Sequence, residues 1–322
     1  MSVDSVRVIL GRLQEEPENG ALWEELTGIV TGATSPDTEL ERLLEQARAR
    51  YADRREWLPA AKLIELEVEL TSGPHVSSLL AELGRIYYEE LFDSVKATEM
   101  YERILEADGG EEAAIEKASA YLEDQEAKRA KWSELCDRYL AEATSATDDS
   151  FKSVLFASAA DVAYRYAGPA ISREALIEYI ETALHHDPKN RRATLIAEVV
   201  YAHGNDWKNV ARVLEQMLVV GASREDRVPA GLKAGRIYAR LLHDEEKAID
   251  VYSQVLDLAP GQPDALAYLA QAFEATGQWD HLVALYEDQL KGGVKGEAEL
   301  GVLLQIAMVH WKKRDKPESA EP

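Results

Sequence analysis

Apolar residues recur along almost the whole chain at intervals of three and four residues, the spacing that places them on one face of an α-helix. Runs of β-branched residues are few, and only 11 prolines interrupt the pattern. Polar breaks divide residues 231–290 into two helical hairpins, and similar hairpins extend in both directions along the chain. The sequence therefore predicts an all-α protein.

The hairpins also repeat. The tetrapeptide Gly-Arg-Ile-Tyr occurs at residues 84–87 and again at 235–238, and in both copies an alanine and a second tyrosine follow at the same offsets. Four tryptophans stand in register, 75, 75 and 72 residues apart: Trp57, Trp132, Trp207 and Trp279. A fixed period is typical of solenoids, in which each unit buries its apolar face only against its neighbours. We predict a solenoid of about 17 helices in which two hairpins form the repeating block.

The solenoid is predicted to span residues 1–322 as a single domain, with an insertion of about five residues near 125–129. The polar run at 144–150 is either a flexible joint or an ordinary connection between helices. A further unit begins at residues 306–311, and the chain ends at Pro322, where a returning helix is expected. Because solenoids need polar capping helices, we expect either a continuation past Pro322 or a partner that covers residues 306–311.

The charge pattern limits the ligands that the chain is expected to bind. The chain holds 36 basic and 59 acidic residues, for a net charge of -23, and 34 of the acidic but only 16 of the basic residues lie in the first 150 positions. Binding to a phosphate backbone needs clustered positive charge, so nucleic acid is excluded as a direct ligand. The acidic N-terminal half is either a solvated surface or a binding surface for a basic protein segment.

Cysteine content and hydropathy indicate the compartment. Cys136 is the sole cysteine and falls on the apolar stripe of a predicted helix, which indicates a small core residue in a reducing compartment. The N-terminus lacks the unbroken apolar stretch of a signal peptide, and no stretch approaches the ~20 apolar residues of a membrane span. We therefore predict a cytoplasmic protein without membrane insertion.

The hairpins resemble the tetratricopeptide repeat, a helix-turn-helix unit of ~34 residues with signature aromatic and small residues. The best matches are Gly84, Tyr87, Ala97 and Tyr101, and Gly235, Tyr238, Ala248, Tyr252 and Pro260. Trp23 follows Pro17 by six residues, the same spacing by which Leu266 follows Pro260. The chain is most similar to the divergent tetratricopeptide-like arrays of large bacterial proteins. This resemblance implies a right-handed superhelical solenoid of antiparallel helix pairs that binds proteins or peptides in a concave groove lined by the first helix of each pair.

The family pattern also selects residues for that groove, namely the residue after the small Gly or Ala and those three and four positions further on. The candidates for partner binding are Arg85, Tyr88, Tyr164, His203, Arg236, Arg240, Gln271, Trp311 and Lys312, with Glu89 and Glu274 at related positions. Exposed arginine and aromatic side chains are typical interface anchors. Alternatively these residues are ordinary surface or, for Tyr88 and Trp311, pack against the adjacent hairpin.

Candidates for catalysis or metal binding are weak. His185 and His186 are adjacent on a helix and diverge by about 100°, which is poor geometry for one metal ion. The run at 292–296 lacks the preceding strand of a phosphate-binding loop and is predicted to be a turn. We predict a non-catalytic scaffold or adaptor without cofactor, metal or small-molecule substrate. The alternative is an N-terminal module that positions a longer enzyme or regulatory protein.

Overall fold

The computed structural model describes residues 3–15, 17, 19–32, 38–107, 109–291 and 295–313, and these residues form 17 α-helices. The first eight are α1 Val3–Glu15, α2 Gly20–Thr31, α3 Thr38–Asp53, α4 Trp57–Leu70, α5 His75–Arg85, α6 Ser94–Glu106, α7 Glu112–Ala130 and α8 Trp132–Ser145. The others are α9 Asp149–Tyr166, α10 Arg173–His186, α11 Arg191–His203, α12 Trp207–Val220, α13 Arg224–Ile237, α14 Glu245–Leu258, α15 Pro263–Ala275, α16 Trp279–Lys291 and α17 Glu297–Met308. Neighbouring helices pack against each other, which confirms the predicted all-α stack of helix pairs.

The chain divides into two compact units. The N-terminal unit comprises residues 1–141 and 158–172, and the C-terminal unit comprises residues 142–157 and 173–322. The joint predicted at residues 144–150 lies at the start of the C-terminal unit and stays a prediction. Residues 292–294 of the predicted turn and the returning helix expected near Pro322 lie outside the described residues.

Two rows of helices build the first part of the N-terminal unit. Helix α1 packs against α3, and α2 packs against α4, so that first helices form one row and second helices the other. Leu13, Leu26, Leu44 and Leu63 are fully buried between them. The hydroxyl of Tyr51 donates a hydrogen bond of 2.7 Å to the carbonyl oxygen of Leu13 and so links the first two hairpins.

The tryptophan register is visible in the structure. The four tryptophans are the first residues of α4, α8, α12 and α16, and each is half-buried. Three of the tryptophans, Trp57, Trp207 and Trp279, are preceded by a residue with left-handed backbone two positions earlier. These residues are Arg55, Asn205 and Gly277, with φ of 54°, 54° and 69°. The same turn therefore precedes α4, α12 and α16, as a repeat in sequence would require.

The two Gly-Arg-Ile-Tyr copies adopt the same local structure. In both, the first helix ends in a π-helical turn, at Ile86–Glu90 and at Tyr238–Leu242. A left-handed residue follows, Phe92 in one copy and His243 in the other. Next comes an aspartate, at positions 93 and 244, whose carboxylate accepts a hydrogen bond from the backbone of the new helix. The repeated sequence therefore specifies a repeated turn.

The glycine of the motif is required by a close approach between helices. A Cβ atom on Gly84 would lie 2.8 Å from the Tyr101 ring, which is too close for an unshifted contact. A Cβ atom on Gly28 of α2 would meet nothing within 4 Å. We expect Gly84→Ala to lower the free energy of unfolding by about 1–3 kcal/mol through overpacking. Gly28→Ala should raise it by up to about 1 kcal/mol through helix propensity.

Urea unfolding followed by circular dichroism measures both variants, and Gly28→Ala serves as the matched control within the same unit. Equal stability of the parent and Gly84→Ala would show that Tyr101 moves aside at no cost and would contradict the packing argument.

Candidate partner-binding site

Three of the predicted partner-binding residues lie in the N-terminal unit. Arg85 donates a hydrogen bond of 3.2 Å to the Glu89 carboxylate. Tyr88 is half-buried, and its ring meets the Tyr121 ring of α7 edge-to-face at 5.2 Å. Tyr164 is also half-buried, and burial raises the pKa of its hydroxyl. Tyr88 thus packs on the adjacent hairpin, while partner binding by these three residues stays a prediction.

The other predicted residues lie in the C-terminal unit. His203, Arg240 and Gln271 are exposed and Arg236 is half-exposed. Burial raises the pKa of Tyr252 to about 12, and the nearby charges of Arg236 and Arg240 oppose that rise. The chain continues from α17 into a π-helical turn, Val309–Lys313, which contains the exposed Trp311 and also Lys312. Partner binding by these residues stays a prediction.

The structure also contains a groove that the sequence did not predict. It lies between α2, α4 and α6, encloses about 740 Å³, and is called the α2–α4 groove below. Its lining residues are Trp23, Glu24, Thr27, Gly28 and Thr31 of α2, Lys62, Glu65, Leu66 and Glu69 of α4, and Arg103 of α6. All three helices are second helices of their hairpins, whereas the family resemblance directed attention to the first helices. The acid excess of the N-terminal half was the one sequence signal that pointed to this region.

The floor of the α2–α4 groove is apolar. Trp23 and Leu66 are buried side chains that line it from opposite helices. The indole nitrogen of Trp23 donates a hydrogen bond of 2.8 Å to the carbonyl oxygen of Pro17, which fixes the orientation of the ring. The ammonium nitrogen of Lys62 lies 4.9 Å from the centroid of that ring, within the range of a cation–π contact.

The carboxylates of the groove differ in their partners. Glu65 accepts a hydrogen bond of 2.6 Å from the hydroxyl of Tyr87, whose pKa is raised by burial and by this bond. Glu24 and Glu69 are exposed, and neither forms an ion pair within the described part of the chain. Two unpaired carboxylates therefore face the groove from different helices.

A second exposed surface lies on α17 and the π-helical turn that follows it. Leu300, Leu304, Met308 and Trp311 follow one another at helical spacing, and all four are more than half exposed. Leu304 is 57% exposed, whereas Leu232 on α13, 72 residues earlier, is 2% exposed. An apolar position that is buried on α13 is thus exposed at the corresponding place on α17.

The residues considered for chemistry are engaged in local contacts. Cys136 is buried as predicted, and burial raises its pKa to about 11, so that the thiol stays protonated near neutral pH. His186 stacks on Phe156 and contacts the carboxylate of Asp149 at 3.0 Å. Among the described residues, no three His, Cys, Asp or Glu side chains are arranged to hold a metal ion. No described helix combines the length and the apolar composition needed to cross a membrane.

Comparison with known proteins supports the resemblance inferred from the sequence. Residues 265–299 match the family model of the tetratricopeptide repeat. The matched segment contains most of α15, all of α16 and the start of α17. A comparison with curated proteins found no match to the chain.

Proposed function

We propose that this chain, which carries a tetratricopeptide repeat at residues 265–299, is a non-catalytic scaffold or adaptor that binds a segment of a partner protein. The α2–α4 groove is the observation that carries the proposal, because it is an open cleft with an apolar floor and charged walls. Stacked helical repeats of this kind bind partners through extended surfaces. The repeat architecture is itself typically non-catalytic.

The charge of the chain supports a protein partner with basic character. The acid excess of the first 150 residues gives this part of the chain a negative charge, which attracts cationic segments and disfavours nucleic acid. A buried cysteine without an internal disulfide partner supports a reducing compartment, and we place the function in the cytoplasm.

Two faces are candidates for the partner, and charge reversal separates them. One face is the first-helix surface with Arg236 and Arg240, and the other is the α2–α4 groove. We expect the immobilised parent protein to retain a reproducible set of proteins from an extract of its source cells. We expect that reversing the charges on one of the two faces removes members of that set.

The first variant is therefore Arg236→Glu with Arg240→Glu, and the second is Glu24→Lys with Glu69→Lys. The parent and both variants are compared by quantitative mass spectrometry of the retained proteins. An adaptor that works through either face must lose partners in one variant and keep them in the other. If the parent retains nothing beyond a blank resin at low salt, the scaffold proposal is wrong.

A further inference from the structure

We infer that the α2–α4 groove binds a basic segment of the partner, with lysine or arginine side chains paired to Glu24 and Glu69 and apolar groups lying over Trp23 and Leu66. This inference rests on the proposed function and deepens it, because it assigns the binding site and the chemistry of the bound segment.

The first argument is the state of the groove carboxylates. Glu65 already accepts a hydrogen bond from the hydroxyl of Tyr87, and Lys62 already lies over Trp23. Glu24 and Glu69 have no such engagement among the described residues. Cations of a bound segment can therefore pair with these carboxylates without displacing an internal ion pair.

The second argument is electrostatic complementarity. Three carboxylates and two cations, Lys62 and Arg103, line the groove, and the first 150 residues hold 34 acidic and 16 basic residues. The net potential is therefore negative, which speeds the approach of a basic segment and opposes an acidic one.

The third argument is the glycine on the groove wall. Gly28 lies inside α2, is exposed, and has open space where a Cβ atom would stand. Packing does not require glycine there, and glycine in a helix is less favourable than alanine. Its lack of a side chain lets another chain approach the α2 backbone closely, which fits a bound segment along this wall.

The test uses the full chain and a fluorescein-labelled peptide made of four repeats of Lys-Leu-Gly, with a Glu-Leu-Gly peptide as its acidic counterpart. Binding is measured by fluorescence anisotropy at about 50 mM and about 300 mM salt. We expect the basic peptide to bind the parent, the acidic one to bind at least about tenfold more weakly, and higher salt to weaken the basic complex.

Variants then assign the binding to the groove. Glu24→Lys with Glu69→Lys should weaken the basic peptide about tenfold or more, because attraction becomes repulsion. Gly28→Trp should weaken it by filling the groove, and Gly28→Ala should weaken it less, because a methyl group takes up less of the space. The matched control is Glu25→Lys with Glu102→Lys, which makes the same charge change at exposed residues that do not line the groove.

Each outcome decides the inference. If the groove variant (Glu24→Lys with Glu69→Lys) and the control variant (Glu25→Lys with Glu102→Lys) weaken peptide binding equally, the peptide binds the general acidic surface and the inference is wrong. The inference is also wrong if the basic and the acidic peptide bind equally well. If a charge-reversed pair misfolds by circular dichroism, Glu24→Gln with Glu69→Gln and Gly28→Trp still decide between groove and surface. If natural partners are lost in the variant Arg236→Glu with Arg240→Glu but kept in the groove variant, this inference is wrong, whereas the proposed scaffold function is retained.

Discussion

Replacing Arg165 by methionine is expected to lower the free energy of unfolding of the N-terminal unit by about 3–5 kcal/mol. The Arg165 side chain is 1% exposed, and its Nε donates a hydrogen bond of 2.8 Å to Asp161, whose side chain is 5% exposed. Removal of Arg165 takes away an ion-pair partner that lies 2.8 Å from the buried carboxylate of Asp161. The cost of burying that charge with less compensation dominates the expected loss.

Other contacts of Arg165 add to the effect. Its Nη2 donates a hydrogen bond of 2.7 Å to the carbonyl oxygen of Tyr88, in the π-helical turn that follows α5. The guanidinium carbon lies 3.9 Å from the ring centroid of Tyr88 and 4.7 Å from that of Phe92. Arg165 thus fastens the C-terminal part of α9 to that turn. Methionine keeps the apolar stem, so the loss reports the charge and the hydrogen bonds.

Urea unfolding measures the total change, and hydrogen exchange locates it. We expect protection to fall in α5, α7 and the C-terminal part of α9, because coupling in a helical stack runs between neighbours. The double variant Arg165→Met with Asp161→Asn should be more stable than the single variant, since it also removes the buried carboxylate charge that Arg165 compensates. A double variant no more stable than the single one would contradict the role assigned to Asp161.

The parts of the fold that sequence could predict depend on local spacing. The two Gly-Arg-Ile-Tyr copies and the tryptophan register lie within single helices and turns, and the structure reproduces both repeats. The insertion predicted near residues 125–129 lengthens α7 to 19 residues. Gln125, at the start of this insertion, is buried and accepts a hydrogen bond from the hydroxyl of Tyr166. The position of the insertion was predictable, but that contact was not.

The parts that sequence could not predict depend on how helices are rotated against one another. Trp23 follows Pro17 at the distance at which Leu266 follows Pro260, yet α2 packs in the row of second helices with α4, whereas α15 begins its hairpin. The apolar period is the same for either row, so spacing alone does not separate them. The α2–α4 groove arises between the members of that row and was therefore missed. The buried Arg165–Asp161 pair was missed too, because charge patterning assigns charged residues to solvent by default.

Glu67 is expected to make the stability of the N-terminal unit depend on pH between about 4.5 and about 7. Burial raises the pKa of Glu67 to about 7, Arg48 opposes the rise, and Glu45 and Glu82 add to it. The Glu67 side chain is 8% exposed, and its carboxylate lies 3.1 Å from Nε of Arg48. The folded protein therefore holds this proton more tightly than the unfolded chain. Its contribution to stability is complete below about pH 4.5 and is lost as the pH rises through about 7.

Glu67→Gln is thus expected to raise the free energy of unfolding by about 2–3 kcal/mol at about pH 8, with the gain shrinking toward zero near pH 5. Arg48 stays paired in this variant, because its Nη1 donates a hydrogen bond of 2.6 Å to Glu82. Urea unfolding of parent and variant across this pH range measures the difference. Glu69→Gln removes an exposed carboxylate from the same helix, so its stability profile should run parallel to that of the parent. If the profile of Glu67→Gln also runs parallel to that of the parent, Glu67 stays ionised in the folded protein. The effect of Arg48 on the pKa of Glu67 would then outweigh the effect of burial.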